Sequence, residues 1–279
     1  LVARALAARE RERDRVRVVT KCGMTRSAGR WVPDGRARTI LDDARASARA
    51  LGRAPDVMLL HAPDPRIPLA TSVRALVRAK EEGLARAIGL SNVTRGQLEA
   101  LPAGIEIAAV EVALGAHDDA AARGGVLAWC KERGVPVLAH APLGGPGRAG
   151  RLERDPVLRA IAARHAHATP AMILIAYLLA VSDVVVPVVG ARRPETARAA
   201  ASAGRIVLAD EELARLDARF PGLAIARRPP RPPSPETASA EVVVVMGVAG
   251  AGKSRLAESF VARGYERLNR DSLGGTLAG

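Results

Sequence analysis

Residues 56–93 read DVMLLHAPDPRIPLATSVRALVRAKEEGLARAIGLSNV. Asp56–Leu60 and Ala85–Leu90 are short apolar runs that do not alternate with polar residues, and Leu69–Glu82 between them is an amphipathic helical stretch. Apolar strands without alternation suit a parallel sheet covered on both faces. The same unit repeats in both directions. Upstream lie a predicted strand, Val16–Thr20, and a helix, Arg36–Leu51. Downstream, a short helix at Arg95–Leu101 precedes a strand at Ile105–Val112, and a helix over Ala121–Arg133 precedes a strand at Val135–Ala139. Helices follow around Val157–His165 and Pro170–Leu179, then a strand at Val184–Val188 and helices at Pro194–Ala203 and Asp210–Asp217. Repeated βα units joined by short loops define an α/β fold. A closed (β/α)8 barrel takes about 250 residues, and an open doubly wound sheet has the same periodicity. No GxGxxG directly follows the first predicted strand, Val16–Thr20, which argues against a dinucleotide-binding sheet of that open kind.

The chain has 279 residues, 48% apolar and 25% charged, the balance of a soluble globular protein. No apolar run reaches the roughly 18–20 residues of a membrane span, so no membrane partner is expected and the cytoplasm is the expected compartment. Cys22 and Cys130 are the only cysteines, too few for a disulfide framework or a multi-cysteine zinc site. The net charge is +13, from 42 Lys plus Arg against 29 Asp plus Glu. Only Lys21, Lys80, Lys131 and Lys253 are lysines, and the arginines are spread along the chain except for Arg227, Arg228 and Arg231. That distribution reads as solvated helix faces, and charge alone is a weak argument for a nucleic-acid partner.

Residues 226–240 (ARRPPRPPSPETASA) hold five prolines and read as a semi-rigid linker between residues 1–225 and 241–279. Beyond it, Glu241–Met246 is a predicted strand. Gly247, Gly250, Gly252, Lys253 and Ser254 then fall in GVAGAGKS, a match to GxxxxGK[ST]. Such glycines turn backbone N–H groups toward a phosphate, the lysine reaches the β- and γ-phosphates, and the Ser254 hydroxyl is placed to ligate Mg²⁺. ATP with Mg²⁺ is the expected ligand. YERLNRDSLG (Tyr265–Gly274) resembles the polynucleotide-kinase-like branch of P-loop kinases, which makes Asp271 a candidate base toward a nucleic-acid or other hydroxyl acceptor. Asp271 reads equally as the cap of a helix starting at Ser272. The sequence opens on Leu1, and Gly279 falls soon after this motif, so a longer parent protein is expected.

VVTKCG (Val18–Gly23), DVMLLHAPDP (Asp56–Pro65), EEGLARAIGLSNV (Glu81–Val93), APLGGPG (Ala141–Gly147), VVVPVVGARRPE (Val184–Glu195) and LADEELARLD (Leu208–Asp217) occur in that order. Together they resemble the aldo-keto reductase family. The resemblance implies a TIM barrel that binds NADPH and carries hydride to a small-molecule carbonyl substrate. It further implies an incomplete (β/α)8 barrel of about six βα units; the linker and the first part of a P-loop NTPase α/β domain, read from the GxxxxGKS motif, are expected to follow it. Of the family's Asp, Tyr, Lys and His, the Lys falls on Lys21 and the His on His61. The Asp and Tyr belong to units upstream of these. Tyr177 and Tyr265 are the only tyrosines, and both lie in the wrong elements. Lys21 is therefore expected to lack its carboxylate partner, and the chain as given to be inactive. Ser91 and Asn92 fall on the nicotinamide-carboxamide contacts, as does Glu111 where Gln is usual. A carboxylate there can accept but not donate. His140 falls on the ring-stacking position usually held by Tyr, and Leu143 and Gly144 on the pyrophosphate loop. Gly190, Arg192 and Arg193 fall on the adenosine-phosphate segment, where guanidinium favours NADPH by gripping a 2′-phosphate. The alternative is a non-catalytic barrel that binds a nicotinamide nucleotide and regulates the attached phosphotransferase.

Overall fold

A computed structural model describes residues 2–8, 16–145 and 147–227. The elements run α1 (Val2–Ala7), β1 (Val19–Cys22), β2 (Met24–Ser27), β3 (Arg30–Pro33) and α2 (Ala37–Leu51). Next come β4 (Val57–Leu60), α3 (Leu69–Glu81), β5 (Ala87–Ser91), α4 (Arg95–Glu99) and β6 (Val110–Ala113). The chain continues through α5 (Ala120–Arg123), α6 (Val126–Glu132), β7 (Val137–His140), α7 (Ala149–Leu152), α8 (Pro156–Ala162) and α9 (Pro170–Val181). It ends in β8 (Val185–Val188), α10 (Pro194–Ala203), α11 (Asp210–Arg219) and α12 (Pro221–Arg227). These elements belong to a compact unit, Leu1–Pro229. A second unit, Pro230–Gly279, lies outside the described residues, and with it the predicted P-loop.

Six strands form one parallel sheet in the order β1-β4-β5-β6-β7-β8. Neighbours in space are successive βα units, the arrangement of a barrel wall rather than of a doubly wound sheet, whose strand order reverses. The outer face carries Cys22, Met58, Leu60, Ile88, Leu90, Val110, Val112, Val137, Ala139 and Val185, packed into one apolar core with the helices. The inner face carries the alternate residues, among them Lys21, Leu59, Gly89, Ser91, Glu111, Leu138 and His140. Gly89 is required there: a Cβ would collide with the Ala109 carbonyl oxygen and the Leu59 side chain.

The sheet is curled, and one contact shows it. Lys21 on β1 and Glu111 on β6 form an ion pair of 2.8 Å. Three strand spacings in a flat sheet would separate them by about 14 Å, beyond the joint reach of the two side chains. Six curled strands make a half-barrel, and among the described residues β1 and β8 each pair on one side only.

The N-terminal ends of the strands are tied by Asp56, which is 7% exposed. Its carboxylate accepts from the Val18 N–H at 2.8 Å and from Arg53 and Arg86, with Arg17 at 4.0 Å. One carboxylate thus links the segments entering β1, β4 and β5.

Three helices start on a side-chain cap. Thr94 closes a capping box with Gln97, Thr169 caps α9 ahead of Pro170, and Asp155 caps α8 ahead of Pro156. Three expectations need correction. The helix foreseen over Ala121–Arg133 is two, α5 and α6, because Gly125 takes a left-handed conformation (φ 76°) as N-cap of the second. The strand foreseen over Ile105–Val112 occupies only Val110–Ala113, since Ile105–Ala109 is the approach to the sheet, where Ala108 N–H already reaches Ile88 O. The antiparallel β2–β3 hairpin was not foreseen. Its turn residues Ala28 and Gly29 both have positive φ (48° and 79°), as a type I′ turn requires. Arg26 lies 4.9 Å over the ring of Trp31 across the hairpin.

Candidate active site

Five adjacent strands deliver polar side chains to their C-terminal ends, the end where barrels carry chemistry. Lys21 is the third residue of β1. His61 follows β4, its N–H bonded to Cys22 O at 2.9 Å. Ser91 ends β5 and Asn92 follows it, Glu111 lies in β6, and His140 ends β7.

Two networks organise these groups. In the first, Lys21 Nζ sits 2.8 Å from Glu111 Oε1, with the glutamate side chain 6% exposed. The expectation that Lys21 lacks a carboxylate partner is therefore corrected. Glu111 fills that place from β6, because the curl of the sheet brings β6 opposite β1. In the second, Asn92 stands in a left-handed conformation (φ 55°), which asparagine tolerates better than most residues. Its N–H donates to Glu111 O at 2.8 Å, which holds that conformation. Its Nδ2 donates to His61 O at 2.9 Å and to Ser91 Oγ at 3.2 Å. With Nδ2 donating, Oδ1 is the acceptor for His140 Nε2 at 3.2 Å, so His140 carries its proton on Nε2 in this contact.

His61 has a pKa lowered from its ordinary value, first by burial and then by the positive charge of Lys21, with Glu111 opposing. A neutral imidazole at neutral pH can donate one hydrogen bond and accept another. Lys21, Glu111, His61 and His140 are thus close enough to sense one another.

The remaining site residues lie on the loops after β7 and β8. Leu143 is half-buried and packs against the core. Gly144 has φ 84°, and a Cβ there would strike the His117 ring, so only glycine brings this loop against the loop after β6. Gly190 has open space around its Cα. Arg192 and Arg193 are exposed, and Arg193 is the N-cap residue of α10.

Tyr177 is buried in α9 and its hydroxyl donates to Asp217 at 2.7 Å. Burial, and then Asp217, push its pKa up, so it stays protonated. Its place is in the helix layer, away from the strand ends. Gly247, Gly250, Gly252, Lys253, Ser254 and Asp271 lie outside the described residues. Among the described residues no cluster of His, Cys, Asp or Glu could hold a metal ion, and no helix is long and apolar enough to cross a membrane.

The donor set fits a nicotinamide dinucleotide in three respects. Asn92 is exposed at the strand ends with an amide oxygen that can accept further, His140 offers a half-buried ring beside it, and two exposed guanidinium groups follow β8. Glu111 fits less well, because Lys21 already engages its carboxylate. Sequence reasoning missed the Lys21–Glu111 and His140–Asn92 contacts, and no local signal announces either.

Comparison with known proteins gives consistent results. The profile described as "Aldo/keto reductase family" matches residues 1–219. The 6-dehydroglucose reductase of Agrobacterium fabrum is 30% identical over 215 residues, 70% of this chain and 69% of that protein. The methylglyoxal reductase DkgB of Escherichia coli O157:H7 is 31% identical over 137 residues, 47% of this chain, so the match spans 48%, about half, of that relative. Among solved structures, an aldo-keto reductase from Klebsiella pneumoniae in complex with NADP and acetate superposes with a TM-score of 0.65 at 27% identity. That superposition covers 82% of this chain and 76% of the other.

Proposed function

Because the chain belongs to the aldo/keto reductase family, we propose that its barrel portion comes from an NADP(H)-dependent carbonyl oxidoreductase whose site is the group of strand-end residues described above. The observation that carries this reading is the convergence of Lys21, His61, Asn92, Glu111 and His140 from five adjacent strands onto one end of the half-barrel. NADPH supplies the hydride when bound. Asn92, with buried Ser91 beneath it, holds the carboxamide end, and His140 lies against the ring. Gly144 and Leu143 line the pyrophosphate, and Gly190, Arg192 and Arg193 hold the adenosine phosphate. Lys21 places a positive charge beside the carbonyl, and neutral His61 orients the carbonyl oxygen by donating a hydrogen bond. Relatives named for methylglyoxal and 6-dehydroglucose point to small oxygen-rich carbonyl compounds as substrates.

The test is fluorescence titration of the chain with NADPH, with methylglyoxal reduction measured beside it. Binding is expected, and Lys21→Met is expected to lower kcat by about 10²–10⁴-fold. No NADPH binding by the natural chain would reject the proposal.

One observation favours a second reading. Tyr177 is committed to Asp217, so no tyrosine among the described residues can protonate a carbonyl. A barrel that binds the nucleotide without turning it over, attached to a phosphotransferase, accounts for that. NADPH binding without reduction of any aldehyde by the full protein would support it.

For the tail we propose ATP and Mg²⁺ binding through Gly247, Gly250, Gly252, Lys253 and Ser254, with Asp271 as base toward a hydroxyl acceptor. The ordered GxxxxGKS motif supports this. Lys253→Ala is expected to weaken ATP binding by tenfold or more, which corresponds to about 1.4 kcal/mol. Unchanged affinity would reject it.

A further inference from the structure

Lys21 stands on β1, at the margin of the sheet, where its amine could have turned into water. Instead it crosses β4 and β5 to a carboxylate on β6. Glu111 in turn holds two functional groups at once. Its carboxylate takes Lys21 Nζ at 2.8 Å, and its main-chain carbonyl takes the N–H of Asn92 at 2.8 Å. Its side chain is 6% exposed, so without Lys21 it would be a buried and unpaired charge, which is costly. The pair also lies beside His61, where the two charges act in opposite directions.

We propose that Glu111 is the positioning residue of this site: its side chain fixes the Lys21 ammonium over the inner face, and its backbone fixes Asn92. The inference rests on the reading of Lys21 as a site residue. It departs from the assignment of Glu111 as a carboxamide contact, because the carboxylate is already spent on the lysine. Glu111→Gln separates the two tasks. It keeps the backbone carbonyl and nearly the same volume but loses the charge. Lys21 then loses its counter-charge and is held only by a weaker hydrogen bond to the neutral amide oxygen, while Asn92 stays in place.

The chain holds only four lysines, which makes amine labelling readable by mass spectrometry. The whole chain is treated with a trace of acetic anhydride, and acetylation of Lys21 is expressed relative to exposed Lys80 and Lys131. The ratio is expected to rise at least threefold in Glu111→Gln and to return toward the starting value in Glu111→Asp, which keeps the charge. Saturating NADPH is expected to protect Lys21 in the natural chain and to protect it poorly in Glu111→Gln. An unchanged ratio in Glu111→Gln overturns the pairing. A raised ratio with NADPH protection intact overturns the positioning role and leaves a purely structural strap. Should Glu111→Gln lose its cooperative melt, Glu111→Asp carries the test alone. Its ratio is then expected to stay within twofold of the natural chain, with NADPH protection kept, and loss of that protection overturns the proposal. If NADPH fails to bind the natural chain at all, the proposed function fails, while the labelling ratios still decide whether Glu111 holds Lys21.

Discussion

The two ends of the same strands are built to opposite rules. At the N-terminal ends, Asp56 gathers the Val18 N–H and the guanidinium groups of Arg53 and Arg86 around one carboxylate that is 7% exposed. Every partner there is a donor to one buried acceptor group. At the C-terminal ends, the polar groups come from five strands: Asn92 is exposed, Lys21, His61 and His140 are half-buried, and Ser91 and Glu111 are buried. Besides the Lys21–Glu111 pair, they are joined by neutral contacts of 2.9–3.2 Å around Asn92, a residue in a left-handed conformation. The first end closes the structure, and the second keeps donors and acceptors available. Both sit on one hydrogen-bonded sheet, so the contrast arises from side chains rather than from the strands themselves.

That contrast can be broken most directly at Asp56. Asp56→Ala leaves the Val18 N–H and a largely buried Arg53 without their acceptor. A loss of about 3 kcal/mol is expected, or roughly 6–12 °C in melting temperature for a unit of this size, with NADPH affinity unchanged in the fraction that stays folded. Calorimetry checks the first and titration the second. Asn92→Gly is the matching change at the other end. It keeps the left-handed backbone and removes the amide, so about 1 kcal/mol of stability should go, while NADPH binding should weaken severalfold. Equal stability losses at the two positions would erase the distinction.

A smaller effect comes from His61. Its pKa is lowered in the folded chain from the ordinary 6.5, so below that value the unfolded chain binds the proton more readily. Stability therefore falls as pH drops from 7 through 6.5 toward the folded value, by less than about 1 kcal/mol because solvent reaches the ring. His61→Gln should flatten melting temperature against pH over that window. The carboxylate of Asp34 acts in the same sense in a lower window, since its pKa is also lowered in the folded chain. Arg36 holds its pKa at about 2, so its contribution is complete above 3.8 and is lost only as the pH falls toward 2. A slope in His61→Gln equal to that of the natural chain would remove His61 from the comparison.

Much of this was legible in the sequence, and for identifiable reasons. Runs such as VMLL and AIGL (Val57–Leu60, Ala87–Leu90) are apolar throughout because helices cover one face and the curled interior shelters part of the other. Thr94, Asp155 and Thr169 cap their helices by accepting from N–H groups two or three residues away, a local signal that the reading of the sequence did not use. Lys21 and His61 could be placed at strand ends because each follows a recognisable apolar run, whereas Ser91, Glu111 and His140 were found only through the family resemblance. The β2–β3 hairpin was less visible, because its strands are mostly exposed and carry no burial pattern to read. The division at Gly124–Gly125 escaped because a glycine pair reads as a weak helix position until its φ is known.

The sequence by itself determined the succession of βα units, the parallel sense of the sheet and the family. All of these rest on local periodicity and on motifs within a few residues of one another. Only the tertiary structure decided that Lys21 meets Glu111, that His140 bonds Asn92 and that Asp56 gathers three segments. Those contacts join residues far apart in the chain, and their distances depend on how strongly the sheet curls. That curvature is set by the packing of many side chains together, as at Gly89 against Leu59 and Ala109, and no single stretch of sequence records it.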